Sequence, residues 1–377
     1  MHSPQELREQ CAKRLLASVE RAGHLTAFIG LDGFVDEIMH LVDVRHNAES
    51  FERIPSIAKL SERLAGAAGK STNIEAVVQR VKFGGNGPIM ANALSRFGVK
   101  VTYVGALGYP TLHPIFSDFA AHAEVYSIAP PGLTDAYEFE DGKVMIGKTA
   151  QLGEITWENI QLRFGRKRFA DKFCASDLVA FVNWTMIPFM SDIWEAIQNE
   201  LCPANKINRR KIFFDLADPE KRTDDDLKRA LKIIEKFRLY FDVMLGLNEK
   251  EAWQVGAVLG VGGEARTRGA LTQLARDIRK AAGVDTLVVH PVTCALAVTG
   301  GDCAIVDGPY IARPLITTGA GDHFNAGFCL GKCLGFDDEM SVLVGVAASG
   351  FYVRNAQSPR MSDLAGMLRD WPSRDSI

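Results

Sequence analysis

No run of about 18 apolar residues occurs, which excludes a transmembrane helix. The best candidate, Leu178 to Met190, is broken by Asn183, Thr185 and Pro188. The opening stretch, Met1 to Glu20, is polar and amphipathic. It lacks the apolar core of a secretory signal. No C-x-x-C pair exists among Cys11, Cys174, Cys202, Cys294, Cys303, Cys329 and Cys333, and the count is odd. A disulfide framework is thereby excluded, and reduced thiols in a cytoplasmic protein are expected. Cys329 and Cys333 lie four apart with no histidine at metal spacing, so they read as core residues rather than zinc ligands. Charge of one sign is also missing: 43 Lys and Arg face 46 Asp and Glu, for a net charge of −3. Such a balance gives no field to steer nucleic acid. The basic run Arg163 to Arg168, interrupted by Phe164 and Gly165, reads as a solvated helix end. Neither internal repeats nor low-complexity linkers are visible.

What is present suits a large core. Hydrophobic residues make up 47% of 377 positions. A chain of this length is compatible with one α/β domain carrying an inserted subdomain. Strands are expected at Thr26–Gly30, Val101–Ala106, Leu178–Val182, Lys211–Asp215, Phe241–Leu245, Thr286–His290 and Ala295–Thr299. Several are continuous apolar runs, as strands covered on both faces require. Helical patterns alternate with them at Pro88–Phe97, Ser191–Leu201, Asp224–Phe237, Glu249–Leu259, Glu264–Ala282, Asp322–Leu334 and Met340–Val353. The alternation predicts a doubly wound, mostly parallel central sheet with helices on both faces. Two stretches break the rhythm. Leu31 to Phe83 is polar and irregular, and Glu124 to Ile155 reads as short strands around a hairpin turn at Asp141-Gly142. Segments 37–82 and 124–155 are expected to form a small β lid on a single domain spanning 1–377.

Three runs carry chemistry. In Thr317-Thr318-Gly319-Ala320-Gly321-Asp322, glycines precede a helical pattern. They free backbone N–H groups at a helix N-terminus, where the macrodipole also favours an anion. Such a cradle suits a transferring phosphoryl group. Asp322 beside it can take a proton from an attacking hydroxyl, or it can be an ordinary helix cap. The run is not a dinucleotide fingerprint, because Phe324 stands where a third glycine is needed. No Gly-Lys-Ser/Thr follows either, so it is not a Walker A loop. An oxidoreductase on a doubly wound sheet is disfavoured because no dinucleotide fingerprint follows the first strand.

The second run, Gly84-Gly85-Asn86-Gly87-Pro88, opens a helix that ends before Gly98. Its amides and the Asn86 side chain can hold a polar ligand, or it is a tight turn. The third, Leu245-Gly246-Leu247-Asn248-Glu249-Lys250-Glu251, closes a strand and opens a helix. Asn248 and Glu251 share a face and could hold a hydrated Mg2+, or form a capping box. Both can hold at once.

In this order and spacing the runs resemble the ribokinase-like carbohydrate kinase family, also called the PfkB family, from Ile29 to about Pro359. Gly84-Gly85-Asn86 through Gly98 resembles its N-terminal signature. Thr318 through Phe328 resembles its more specific C-terminal signature, and Asn248-x-x-Glu251 its element near the metal. The resemblance implies an ATP-dependent, Mg2+-assisted kinase acting on a sugar-like small molecule, with a lid that often makes a dimer contact. It implies Asp322 as catalytic base, with the Gly319, Ala320 and Gly321 amides as the anion hole. Asn248, Thr318, Gly319 and Gly321 would meet the nucleotide, and Gly84, Gly85 and Asn86 the acceptor. Asp36 best matches the acceptor-binding aspartate, with Asp32 as rival.

Departures accompany the match. Ile316 stands where the family has an aspartate that helps place a monovalent cation, which leaves potassium activation open. The turn Pro291 to Ala295 has no glycine. Gly345 and Val346 occupy the place of a usual Asn, Ile89 that of another, and His323 that of a small residue. These departures motivate an alternative: a non-catalytic sugar- or nucleotide-binding regulatory protein on a kinase fold.

Overall fold

The computed structural model describes residues 3–204, 210–263 and 265–372. Met1 and Glu264 lie outside them. In chain order the strands are β1 (Thr26–Leu31), β2 (Phe34–Arg45), β3 (Phe51–Arg53), β4 (Ala76–Gly84), β5 (Lys100–Gly105), β6 (Glu124–Ser127), β7 (Gly132–Glu138), β8 (Lys143–Lys148), β9 (Leu178–Phe181), β10 (Arg210–Asp215), β11 (Phe241–Leu247), β12 (Thr286–Val289), β13 (Cys294–Thr299) and β14 (Asp302–Asp307).

Among the described residues the large sheet runs β14-β13-β12-β11-β10-β9-β1-β5-β6. The strands from β6 to β12 in this order pair parallel. The β13–β14 hairpin closes one edge antiparallel. The middles of the central strands are apolar because both faces are covered. β10 illustrates the period of two. Ile212 and Phe214 join one core with Phe28, Phe181 and Trp194, whereas Phe213 joins the other with Tyr103, Met244 and Phe328.

The covering helices follow from local sequence. In Asp224–Lys236 the Thr223 hydroxyl accepts the Asp226 amide, three aspartates fill the first turn, and Leu227, Ala230, Leu231 and Ile234 form the buried stripe. Helix Asp338–Asn355 is different, with Met340 through Ala348 buried all round. It packs against helix Ala320–Cys333. A Cβ on Gly345 would come 2.7 Å from the Phe324 ring, so a larger residue there would push that helix away. This packing accounts for Gly345 at the position where the family usually has Asn.

A second sheet runs β3-β2-β7-β8, with β4 on β2. The chain passes directly from β1 to β2 through Asp32 and Gly33. The stretch expected to be irregular therefore contains a 12-residue strand, β2. Its polar letters Asp36, Glu37 and His40 hid it, but Phe34, Val35, Ile38, Met39, Leu41 and Val42 are buried. The expected hairpin is β7–β8, where Glu138 pairs with Lys143 around Asp141-Gly142. By contrast β6, expected in the lid, pairs with β5 at the edge of the large sheet.

Candidate active site

The carboxyl ends of the parallel strands are where ligands bind in open α/β sheets. Here Asp32 follows β1, Asn183 follows β9, Asp215 ends β10, Asn248 follows β11 and His290 follows β12. The small sheet contributes Phe34, Asp36, Thr134 and Met145 to a cavity of about 550 Å3 beside these ends. Gly85, Asn86, Asn248, Glu251, Thr318, Gly319 and Asp322 share its lining. The volume is that of a small-molecule site.

Asp322 is the third residue of helix Ala320–Cys333, whose N-cap is Gly319 at φ 95° with no side-chain cap. Asp322 is therefore not the cap. It is buried, and its Oδ1 accepts a hydrogen bond from Asn86 Nδ2 at 2.9 Å. Burial holds its pKa well above the ordinary carboxylate range, with the Asp215 charge adding and the Asn86 bond opposing. The amides expected to make an anion hole differ in their surroundings. Gly319 lines the cavity. The Ala320 N–H instead donates to the Thr317 carbonyl at 3.1 Å. Gly321 lies against His290, whose Cε1 would be 3.2 Å from a Cβ there.

The two candidate acceptor aspartates separate clearly. Asp36 lines the cavity beside Thr134. Gly84 has no room for a Cβ, which would fall 2.3 Å from Asp36 Oδ2, so its role is to let β4 pass this carboxylate. Asp32 is fully buried and committed to the protein. Its oxygens accept from the Asn86 and Gly87 amides at 2.9 Å each and from Asn183 Nδ2 at 2.8 Å. Burial still raises it to about 6. Asp32 shapes the Gly85-Asn86-Gly87 turn and has no face on the cavity.

Asn248 and Glu251 form the capping box: Glu251 N donates to Asn248 Oδ1 and Asn248 N to Glu251 Oε2, both at 2.9 Å. Glu251 Oε1 accepts the Asp218 amide at 2.8 Å. Sequence reasoning missed Asp215, Asn183 and Asp218. Asp215 is buried, accepts from Asn325 Nδ2 at 2.7 Å, and is pushed up to about 8 by burial and by the Glu251 charge. Its signal was available, an aspartate closing an apolar strand. Asn183 carried none, since its side chain meets Asp32 across 151 positions from a backbone turn at φ 63°. The Asp32, Asp215 and Glu251 charges thus oppose ionisation of Asp322, and Asp32 and Glu251 oppose that of Asp215. Among the described residues no three His, Cys, Asp or Glu side chains converge to cage a metal alone.

His323 is a buried structural residue. Its Nδ1 bonds the Gly319 carbonyl at 2.7 Å, its Nε2 lies 2.9 Å from Ser358 Oγ, and its ring stacks on Tyr352 at 3.7 Å. Tyr352 Oη donates to the Thr318 carbonyl at 3.0 Å. The glycine turn is therefore clamped from behind.

A parallel sheet with a small-sheet lid, and a buried aspartate at a glycine-started helix facing the cavity between them, is the build of a ribokinase-like carbohydrate kinase. Solved structures agree on the fold. A carbohydrate kinase from Agrobacterium tumefaciens matches with a TM-score of 0.61 at 19% identity, over 93% of this chain and 98% of that one. A mutant phosphofructokinase-2 from Escherichia coli matches with a TM-score of 0.64 at 15% identity, over 92% and 98%. Arabidopsis thaliana ribokinase complexed with ribose and ATP matches with a TM-score of 0.60 at 16% identity, over 92% and 98%. A family model for prokaryotic ketohexokinase matches residues 4–371, and the chain belongs to that family. It is 29% identical to the ketohexokinase of Haloferax volcanii over 367 residues, covering 97% of this chain and 96% of that relative. The chain is a sugar kinase that uses ATP, and the non-catalytic alternative is set aside.

Proposed function

We propose that the acceptor is a ketohexose and that Asp322 is the general base. One observation carries the second statement: Asp322 faces the cavity with one oxygen held by Asn86, in surroundings that raise its proton affinity. The acceptor hydroxyl oxygen attacks the terminal phosphorus of ATP, its proton passes to the Asp322 carboxylate, and the bond to ADP breaks. Such general-base help is worth about 10²–10⁴-fold. The Asp36 carboxylate is the hydrogen-bond acceptor for sugar hydroxyls. Gly319, at an uncapped helix start, faces the transferred charge. Asn248, Glu251 and Asp215 are the residues that would hold Mg2+ through its waters, and the ion would offset both the acidic cluster and the donor phosphates. The lid excludes water from the transfer.

The acceptor name rests on the family and on the Haloferax volcanii relative. The small sheet leaves Val44, Val78, Val81, Met145 and Ile146 between 41% and 51% exposed. This apolar surface supports a homodimer through the lid. All seven cysteines are free thiols, in keeping with a reducing cytoplasm.

An ADP-release screen of ketohexoses, aldohexoses, pentoses, sugar acids and nucleosides tests the reading. Equal turnover of aldohexoses and ketohexoses would refute the acceptor assignment. Near-normal turnover of Asp322→Asn with the best acceptor would refute the base.

A further inference from the structure

A second cavity, of about 650 Å3, shares Ile89 with the catalytic one. Arg80 and Lys82 of β4, Arg96, and Arg360 line it. Two carboxylates stand against these four cations. Asp118 pairs with Arg96 at 3.0 Å, and Asp363 accepts the Arg360 backbone amide at 2.8 Å. Among the described residues Arg80, Lys82 and Arg360 have no ion-pair partner. Lys82 is held below its usual range by burial, with Arg80 and Lys143 adding repulsion and Asp36 opposing. Lys82 faces Asp36 across the β2–β4 pairing, whereas Arg80 and Arg360 have no carboxylate partner among the described residues, and cations so placed around one cavity call for an anion.

The cavity wall also holds an orphan. Asn92 is only 8% exposed, and its Oδ1 has no hydrogen-bond partner while Nδ2 donates to Ser358 Oγ at 3.0 Å. A buried amide oxygen without a donor is a costly feature. It asks for a ligand hydroxyl. Cations for a phosphate and an acceptor for a hydroxyl together describe a phosphate ester that carries free hydroxyls.

This wall is wired to the catalytic turn. The Gly319 carbonyl can only accept, so His323 Nδ1 carries the proton. The ring is buried and depressed to about 4, hence neutral, so Nε2 accepts from the Ser358 hydroxyl. Ser358 Oγ in turn accepts from Asn92. With the ring neutral, each donor in the chain Asn92–Ser358–His323–Gly319 is used once.

We propose that this second cavity binds a phosphate ester bearing free hydroxyls, a sugar phosphate or a nucleotide, and that its occupancy is transmitted through Ser358 and His323 to Gly319. The binding claim does not depend on the kinase reading, because it can be measured without turnover.

The test uses calorimetry on the full chain, with the catalytic cavity saturated by acceptor, Mg2+ and a non-hydrolysable ATP analogue. A hexose phosphate, ADP and inorganic phosphate are the probes. The expected result is that one of the two esters binds at least tenfold tighter than inorganic phosphate, and which one identifies the source. Arg80→Ala with Arg360→Ala should weaken it at least tenfold, and Arg80→Lys with Arg360→Lys should restore most of the affinity. Both arginines are exposed, so the melting temperature should not move. No binding, binding equal to inorganic phosphate, or binding unchanged in the double alanine variant would overturn the site. Ser358→Ala should keep the binding but abolish the ester's effect on kcat. Survival of that effect would overturn the coupling.

Discussion

Asn86 Nδ2 donates to Asp322 Oδ1 at 2.9 Å, joining two residues 236 positions apart. The first stands at the start of one helix and the second in the first turn of another. Asp32 fixes the first partner through the Asn86 amide, and the Tyr352–His323 clamp fixes the turn before the second. Neither side chain of the pair is free to choose its direction.

Removing the proposed base and removing its holder should differ in degree. Asp322→Asn is expected to lower kcat by about 10²–10⁴-fold without loss of stability. Asn86→Ala should lower kcat by roughly tenfold, the worth of one charge-assisted hydrogen bond of about 1.5 kcal/mol, with KM for ATP unchanged. Steady-state kinetics alongside melting curves distinguish these outcomes from unfolding.

The acidic cluster makes stability depend on pH in a definite direction. Asp215 is raised from 3.8 to about 8 by folding. Between those values the folded chain keeps a proton that the unfolded chain has released, so unfolding free energy falls as pH rises. Asp215→Asn should flatten that slope. Melting temperatures measured from pH 5 to pH 8 without metal check this, and Mg2+ should raise the wild-type value at pH 8 more than the variant's.

Asp36 and Asp32 should fail in different ways. Asp36→Asn is expected to raise KM for the sugar by roughly 10–100-fold, through weakened hydrogen bonds of about 1.5–3 kcal/mol to a charged acceptor. Asp32→Ala orphans the Asn86 and Gly87 amides and the Asn183 side chain. It should destabilise the fold by about 2–5 kcal/mol before any kinetic effect can be read. Denaturant titration separates the two.

The exposed lid surface predicts an oligomer. Val81→Asp should convert a dimer to a monomer in sedimentation velocity while leaving the catalytic cavity intact. A wild-type chain that sediments as a monomer at all concentrations would remove the lid contact.

Much of the large sheet was legible because β9, β10 and β12 contain short unbroken apolar runs flanked by polar residues. The Asp322 turn was legible because glycines before a helix have few uses. The small sheet was harder to read. Asp36 and its neighbours look like loop residues until Gly84 and Thr134 are seen beside them. Asp32 and Asp36 could not be told apart by spacing, since which carboxylate faces a cavity depends on partners at 86, 87 and 183. The Arg80–Arg360 cavity was invisible for the same reason, as its walls come from distant parts of the chain.

The order in which the ribosome delivers these parts follows from their positions. Asp32, the lid and Asn86 emerge first, and Asp322 follows Asn86 by 236 residues. At ordinary elongation rates the interval is about 10–50 s. Throughout it the nascent chain lacks Asp322 and the glycine turn that precedes it. The proposed base therefore joins the site only after the whole small sheet and Asn86 have been made.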